Sequence, residues 1–156
     1  MPEIRPVTRE NWRELSKLSV RDDQREFVAS NLYSIAEAQF GEDIPGEGHW
    51  DMSPFGIYDE DKPVGFLMIG HNFGAPKFQG FVIRLMVDEK YQGKGYGKFG
   101  MNWILEHFRA DERVRVIGIS YEPHNEVARK LYASLGFVET GEIEDGEVIA
   151  VLNLRV

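Results

Sequence analysis

The chain has 156 residues, about the length of one domain, so we expect a single domain over residues 1–156. Its composition, 42% apolar and 28% charged, is that of a globular protein, and no apolar run approaches the ~20 residues of a membrane span. The lack of cysteine excludes disulfides, thiolate catalysis and thiolate metal sites. We expect a cytoplasmic protein, because no charged and then apolar leader opens the sequence.

The net charge of −8 is unevenly distributed. Between Asp22 and Asp61, eleven acidic residues accompany one basic residue, Arg25, which gives this segment a charge of −10. Such a field repels nucleic acid and attracts a cationic small molecule. A solvated acidic surface that maintains solubility is the alternative, and composition alone leaves both open.

The first 53 residues predict a strand, helices and a loop. Residues 4–7 are β-prone, and Thr8 is a candidate N-cap for a helix with Trp12, Leu15 and Leu18 on one face. A helical pattern continues over residues 24–40, through Phe27, Val28 and Leu32, with a break near Ser30 and Asn31. The segment 42–53 is rich in Gly, Pro and Asp, which favours a loop.

The middle of the chain predicts a strand-rich region. Residues 55–58 and 64–70 flank a turn-rich connection, and residues 80–88 form a third β-prone run. Three successive strands without a helix between them imply antiparallel pairing. A helical pattern then precedes a strand over 114–120, which must lie parallel to the strand over 80–88.

The C-terminal part predicts a helix over 125–135, ended by Gly136 in the C′ position, and a hairpin. The hairpin strands cover 137–142 and 147–154, around the turn Asp145-Gly146. The apolar face of the helix is formed by Val127, Ala128, Leu131, Tyr132 and Leu135. The sum is an α+β (mixed α/β) fold, a mixed seven-stranded sheet flanked by about four helices.

The glycine-rich loop after residue 88 allows three interpretations. A Walker A loop is excluded, because Phe99 stands where the motif needs a hydroxyl and Gly93 is one residue too close. The run 95–100 matches the dinucleotide pattern G-x-G-x-x-G, but six residues separate it from its strand and the flanking hairpins do not suit a parallel sheet. The remaining interpretation is Q-x-x-G-x-G over 92–97, a loop whose backbone N–H groups and following helix can hold a pyrophosphate.

With this loop, the chain resembles the GNAT superfamily of acyl-CoA-dependent N-acetyltransferases. The run 125–137 matches a second signature of that superfamily, N-x-x-A-x-x-L-Y-x-x-x-G-F. The two signatures stand in the right order and span about residues 85–137. The resemblance implies the GNAT fold and acetyl-CoA as co-substrate, with no metal.

The resemblance also implies the donor-binding residues. Strand backbone at 85–87 would pair with the pantetheine amides, and the loop would cover the pyrophosphate. Asn125 would contact the cofactor, a role compatible with a helix N-cap, and Lys130 would reach the nucleotide end. The complete donor set is Leu85, Met86, Val87, Gln92, Gly93, Lys94, Gly95, Tyr96, Gly97, Lys98, Asn125 and Lys130.

By the same resemblance, Tyr132 is the catalytic acid that protonates the leaving thiolate, although a Tyr on an apolar helix face also suits a core. The base is less clear. The candidates by position are Glu122, which follows the second parallel strand, and Glu37 and Glu42. The middle of the strand before the loop carries Arg84, whereas some relatives carry an acid there. The four histidines show no ligand or triad spacing.

In this superfamily, the helices after the first strand and the loop that follows them form one side of the acceptor site. In this chain, that region is the acidic segment. Glu37, Glu42 and Asp43 are its candidate substrate-binding residues. The chain looks most like bacterial spermine/spermidine N-acetyltransferases, so a polyamine is the predicted acceptor. An aminoglycoside or a peptide amine is an alternative acceptor, and a non-catalytic CoA sensor is an alternative function.

We expect no nucleic acid or membrane partner. We expect a homodimer that forms through the C-terminal strands.

Overall fold

The structure of the protein, a computed structural model, describes residues 1–27 and 30–155, without the side chains of residues 26 and 27. The strands are β1 Pro2–Pro6, β2 Glu42–Ile44, β3 Gly48–Asp59, β4 Lys62–His71, β5 Gly80–Val87, β6 Val116–Tyr121, β7 Val138–Glu144 and β8 Glu147–Asn153. The α-helices are α1 Trp12–Ser16, α2 Asn31–Ala38, α3 Tyr96–Arg109 and α4 Glu126–Ser134, and 3₁₀ helices cover Asp22–Phe27 and Glu89–Tyr91. No helix within the described ranges has the length and apolar character needed to cross a membrane.

The sheet has the order β1-β3-β4-β5-β6-β8-β7, and β2 pairs with β3 beside this path. Strands β5 and β6 are parallel, and the other pairs are antiparallel. This arrangement confirms the predicted α+β fold, the antiparallel β3–β4–β5 unit and the parallel crossover through α3. The sheet has eight strands instead of the predicted seven.

The additional strand lies where the sequence predicted a loop over 42–53, and that prediction is wrong. Glu42 pairs with Trp50 and Ile44 with Gly48, so β2 and the start of β3 form a hairpin. The turn-favouring residues concentrate at its tip, where Gly46 adopts φ 83°. Buried Trp50 anchors the hairpin to the body of the protein. A three-residue strand therefore exists because of tertiary packing.

The beginning of α1 also differs from the prediction. The helix starts at Trp12, and Thr8 forms a preceding turn in which its Oγ1 accepts from the Glu10 N–H at 3.2 Å. Leu18 lies beyond the end of α1. The predicted break near residue 30 is confirmed, because Ser30 caps α2 by accepting from the Tyr33 N–H. The part of that prediction that involves Val28 lies outside the described residues.

Helices cover both faces of the sheet because side chains alternate along its strands. On one face, Leu67 and Ile69 of β4 pack in a core with Ile104 of α3. On the other face, Phe66 and Met68 of the same strand pack in a core with residues of α1 and α2. Helices α1 and α2 thus lie on the face of the sheet opposite to α3.

The middle of the sheet is split. Strands β5 and β6 pair only over Gly80–Val82, opposite Ile117–Ile119. A bulge follows at Ile83, since Val82 faces Ile69 of β4 and Arg84 faces the adjacent Met68. Bulges bend a strand and increase its twist. The last five residues of β5 consequently diverge from β6 and leave a cleft.

Candidate active site

The cleft between β5 and β6 opens into a cavity of about 690 Å³. It extends from the end of β5 to the glycine loop, to the beginning of α4 and to the segment after α1. Its lining is Val20, Arg21, Asp23, Gln24, Leu85, Met86, Val87, Tyr91, Gln92, Gly93, Gly95, Tyr96, Gly97, His124, Asn125, Glu126, Val127, Ala128, Leu131 and Tyr132. Most of the predicted donor residues are therefore brought together.

The glycine loop presents its backbone to open space. Gly93 and Gly95 have φ values of 78° and 88°, and a Cβ placed on either would meet no atom within 4 Å. Helix α3 begins at Tyr96 without a side-chain cap, so its first N–H groups are available to a ligand. Backbone donors at a helix N-terminus bind anions, so the loop fits a phosphate group.

The end of β5 offers unpaired backbone to the same cavity. Leu85, Met86 and Val87 pair with β4 on one side, and none of them pairs with β6 on the other. Backbone polar groups without a partner need a ligand or water. An extended ligand with amide groups, such as pantetheine, fits this edge. The carbonyl of Val87 already accepts from Gln92 Nε2 at 3.0 Å.

The side chain of Gln92 makes contacts within the protein. Its Nε2 donates to the carbonyl oxygen of Val87 and to Gln24 Oε1 at 2.8 Å, and its Oε1 accepts from Arg21 Nη1 at 3.0 Å. Gln92 thereby fastens the loop to the segment after α1. The Gln92 side chain can therefore contribute to donor binding indirectly, by holding the loop in position.

The predicted lysines do not line the cavity. Lys94, Lys98 and Lys130 are exposed, and the Lys94 ammonium lies 6.0 Å from the ring centre of Tyr91. Tyr96 does line it, but its hydroxyl donates to Asp59 Oδ2 at 2.5 Å. This hydrogen bond raises the pKa of Tyr96 and lowers the pKa of Asp59.

Helix α4 brings two signature residues to the cavity. Asn125 caps the helix by accepting from the Ala128 N–H at 3.2 Å and also lines the cavity, so the N-cap is compatible with the predicted contact to the cofactor. Tyr132 lies two turns further on, and its ring centre is 5.5 Å from that of Tyr121, in a tilted contact, and 6.1 Å from that of Phe137, in an edge-to-face contact. Burial, and secondarily Tyr121, raises the pKa of Tyr132 to about 12. Its phenol therefore stays protonated at neutral pH.

The predicted base and acceptor residues lie outside the cavity lining. Glu122 is half-buried after β6, and its carbonyl accepts from the Asn125 N–H at 3.0 Å. Glu37 on α2 pairs with Arg84 Nη2 of β5 at 3.5 Å. Exposed Glu42 lies on β2, where Asp43 contacts His49 Nδ1 at 2.6 Å. In the described parts of the chain, no group of three or more potential ligand side chains is arranged to hold a metal ion.

Several cavity residues were not assigned from the sequence. Asp23 and Gln24 come from the acidic segment, which was considered only for the acceptor, and Arg21 immediately precedes that segment. His124 precedes the second signature and also lines the cavity. Val127 was predicted on the apolar face of the helix, and it is 82% exposed and lines the cavity. A helix face directed at a ligand has the same periodicity as one directed at a core.

A split sheet beside a loop that fits a phosphate group, with a half-buried phenol in the same cavity, is the arrangement of a group transferase for an extended, phosphate-bearing donor. The Acetyltransferase (GNAT) family model matches residues 8–137. The chain belongs to this family, and it is an N-acetyltransferase that uses acetyl-CoA as co-substrate.

Individual relatives agree with the family. The chain is 29% identical over 156 residues to a spermine/spermidine N(1)-acetyltransferase of Bacillus subtilis (strain 168), a match that covers 97% of each chain. Among solved structures, it is similar to aminoglycoside acetyltransferase AAC(6')-Ib in complex with coenzyme A, with a TM-score of 0.73, 17% identity and coverage of 98% and 95%. It is also similar to a spermidine N-acetyltransferase from Vibrio cholerae in complex with CoA and spermine, with a TM-score of 0.71, 16% identity and the same coverage.

Proposed function

We propose that the chain acetylates a primary amine of a cationic small molecule, a polyamine such as spermine or spermidine. The observation that carries this acceptor class is the likeness to the spermine/spermidine N(1)-acetyltransferase, which extends over nearly the whole of both chains. The fold does not discriminate, because TM-scores of 0.71 and 0.73 relate the chain to both a spermidine and an aminoglycoside acetyltransferase. The proposed place of the reaction is the cytoplasm.

The proposed chemistry is direct attack in a ternary complex. A neutral amine attacks the thioester carbonyl, the C–S bond breaks, and the leaving thiolate takes a proton from the Tyr132 hydroxyl. The phenol is protonated at neutral pH and therefore has a proton to give, because its pKa is raised to about 12. A thiol has a lower pKa, near ~8.5, so the transfer is uphill by itself and must accompany C–S bond cleavage, after which a proton from water restores the phenol. The amine proton leaves through water, and Glu122 is the proposed acceptor of that proton.

The proposed acceptor residues are Glu37, Glu42 and Asp43. Glu37 lies on α2, and Glu42 and Asp43 lie on β2, all within the acidic segment. Arg84 reduces the local field, because its guanidinium pairs with Glu37 and also binds Ser34 Oγ at 3.2 Å. Replacing Glu37 with Gln would leave the Arg84 charge unbalanced. We therefore expect Glu37→Gln to raise the KM for spermine several-fold, with a smaller effect on kcat.

The matched control is Glu106→Gln. Glu106 also pairs with an arginine, Arg109 at 3.3 Å, but it lies on α3, in the layer on the other face of the sheet. The same charge change there should leave the KM for spermine unaltered. Equal effects of the two substitutions would indicate a response to net charge alone and would contradict the assignment of Glu37.

The acceptor class is tested by measuring CoA release with spermine, spermidine, kanamycin and a lysine-containing peptide at matched concentrations. The proposal expects the highest kcat/KM with a polyamine. A higher kcat/KM with kanamycin or with the peptide would replace the polyamine by that acceptor. Tyr132→Phe measured in parallel distinguishes enzymatic transfer from spontaneous acetylation of the amine.

We also propose a homodimer that uses the edge strand β7. All seven of its residues are exposed, and apolar Val138 and Ile143 are among them. Edge strands with exposed apolar side chains pair readily. Light scattering on the wild type and on Ile143→Glu tests this proposal, which a monomeric wild type would contradict.

A further inference from the structure

We propose that Arg21 binds the diphosphate of acetyl-CoA and that Gln92 is the positioning residue that aims Arg21 at it. The inference concerns the donor side of the reaction and does not depend on which amine is the acceptor. Its basis is the position of one cation relative to the cavity and the loop.

Arg21 is the one lysine or arginine side chain that lines the cavity among the residues that the structure describes. The loop lysines that the sequence suggested for this purpose, Lys94 and Lys98, are exposed and do not line the cavity. A diphosphate carries negative charge that backbone N–H groups of the loop contact but do not neutralise. A guanidinium supplies both charge and several N–H donors in one plane, which makes it well suited to phosphate.

The orientation of Arg21 is fixed by the glycine loop itself. Gln92 Oε1 accepts from Arg21 Nη1 at 3.0 Å, and Gln24 Oε1 accepts from both the Arg21 N–H at 3.2 Å and Gln92 Nε2 at 2.8 Å. The backbone turn adds a hydrogen bond from the Gln24 N–H to the Arg21 carbonyl at 2.8 Å. These contacts place the guanidinium beside the side chain of Gln92, the first residue of Q-x-x-G-x-G, in the cavity that the loop also lines.

Asp23 competes with a phosphate for the same guanidinium. Its Oδ1 accepts from Arg21 Nε at 3.2 Å, and Asp23 also lines the cavity. A bound diphosphate would meet an arginine that already pairs with Asp23. It would also be repelled by the negative charge of the Asp23 carboxylate. The arrangement predicts that removing the two charges has opposite effects on donor affinity.

The test measures dissociation constants by calorimetry, without acceptor, for CoA, for dephospho-CoA and for pantetheine. For Arg21→Gln, we expect CoA and dephospho-CoA to bind about 3- to 10-fold more weakly, the range for a charge-assisted contact of a half-exposed arginine. Pantetheine, which has no phosphate, should bind unchanged. A loss confined to CoA would assign Arg21 to the 3′-phosphate, and an equal loss with pantetheine would exclude a phosphate contact. Both results overturn the proposal.

The control substitution is Arg25→Gln. Arg25 lies in the 3₁₀ helix one turn after Arg21, is similarly exposed at 67% against 55%, and pairs with Asp22 at 3.2 Å in the way that Arg21 pairs with Asp23. It does not line the donor cavity. Its replacement should leave the affinity for CoA unchanged. An equal loss of CoA affinity with Arg25→Gln would show that the Arg21→Gln effect comes from net charge alone, which would contradict the proposal.

Asp23→Asn tests the predicted increase in donor affinity when the Asp23 charge is removed. This variant should bind CoA about 2- to 3-fold more tightly, on the scale of an exposed ion pair. Asp22→Asn, the matched change, should have no effect. Weaker binding by Asp23→Asn would show that the carboxylate aids donor binding and would contradict the competition.

The role of Gln92 is tested by a double-mutant cycle. Gln92→Leu removes the acceptor that orients Arg21, along with the contacts to Val87 and Gln24, so its own effect on affinity is not diagnostic. In the Gln92→Leu background, Arg21→Gln should lose most of its effect on CoA affinity. A full effect of Arg21→Gln in that background would show that Arg21 needs no positioning by Gln92.

Discussion

The ring centre of Tyr132 on α4 lies 5.5 Å from that of Tyr121 on β6, and the two rings are tilted by 44°. The pair joins the second signature helix to the strand that diverges from β5. Burial in this contact raises the pKa of Tyr132 to about 12, while the residue still lines the donor cavity. A protonated phenol thus lines the cavity, as the proposed role of Tyr132 as the catalytic acid requires.

Tyr132→Phe should lower kcat by about 100-fold or more, the usual contribution of a general acid, and leave the dissociation constant of CoA unchanged. The ring and its packing remain, so only the proton donor is lost. Tyr121→Phe is the control, because it removes a neighbouring hydroxyl that does not line the cavity. Wild-type kcat in Tyr132→Phe, or an equal loss in Tyr121→Phe, would reject Tyr132 as the acid.

The pH dependence of kcat follows from the direction of the Tyr132 shift. The active form is the neutral phenol, and raising its pKa from the usual 10.0 to about 12 preserves that form to higher pH. Deprotonation of the acceptor amine makes the rate rise over the same range. We therefore expect kcat to rise from pH 7 and to show no decline up to about pH 10.5. A decline with a midpoint below pH 10, with circular dichroism unchanged, would contradict a buried phenol as the donor.

The sequence predicted the elements whose signals are local. Gly136 adopts φ 99° after α4, as the C′ position requires, and Asp145 and Gly146 both have positive φ in the predicted hairpin turn. The sequence signals of the glycine loop and of Asn125 are also local, and the structure brings both to the cavity. Each of these features is set by residues within a few positions of one another.

The missed features depend on distant contacts. Arg21 reaches the loop through a hydrogen bond to Gln92, 71 residues away in the chain, and no sequence pattern signals that pairing. The strand β2 forms because buried Trp50 fixes the start of β3. The exposed Val127 was indistinguishable from a core residue, since periodicity defines a face but not what covers it.

Asp88 should be a major stabilising residue, because its buried carboxylate ties the glycine loop to the segment after α1. It accepts from the Ser19 N–H at 2.9 Å and from the Lys90 N–H at 3.2 Å. Asp88→Ala leaves both donors without their partner, which should lower the free energy of unfolding by about 2–4 kcal/mol. Asp88→Asn, which keeps one oxygen acceptor, should lose less.

Urea denaturation of the three proteins measures the effect of Asp88, with Asp22→Ala as the control for a highly exposed acid. The Asp22 side chain is 93% exposed and should contribute little. Equal stability of Asp88→Ala and the wild type would mean that the loop is held by other contacts. The affinity for CoA should fall together with stability, since the same hydrogen bonds position the loop.

Gly65 of β4 supports the donor-binding edge of β5 by having no side chain. A Cβ at this position would lie 2.7 Å from the carbonyl oxygen of Met86, a backbone atom that cannot move away alone. Gly65→Ala should therefore displace the end of β5, lower the free energy of unfolding by about 1–3 kcal/mol and weaken CoA binding. Gly74→Ala is the control, because its Cβ would meet nothing closer than Asn72 Oδ1 at 3.7 Å. Thermal unfolding and CoA calorimetry measure both effects, and wild-type values for Gly65→Ala would show that the diverging strand does not depend on this close approach.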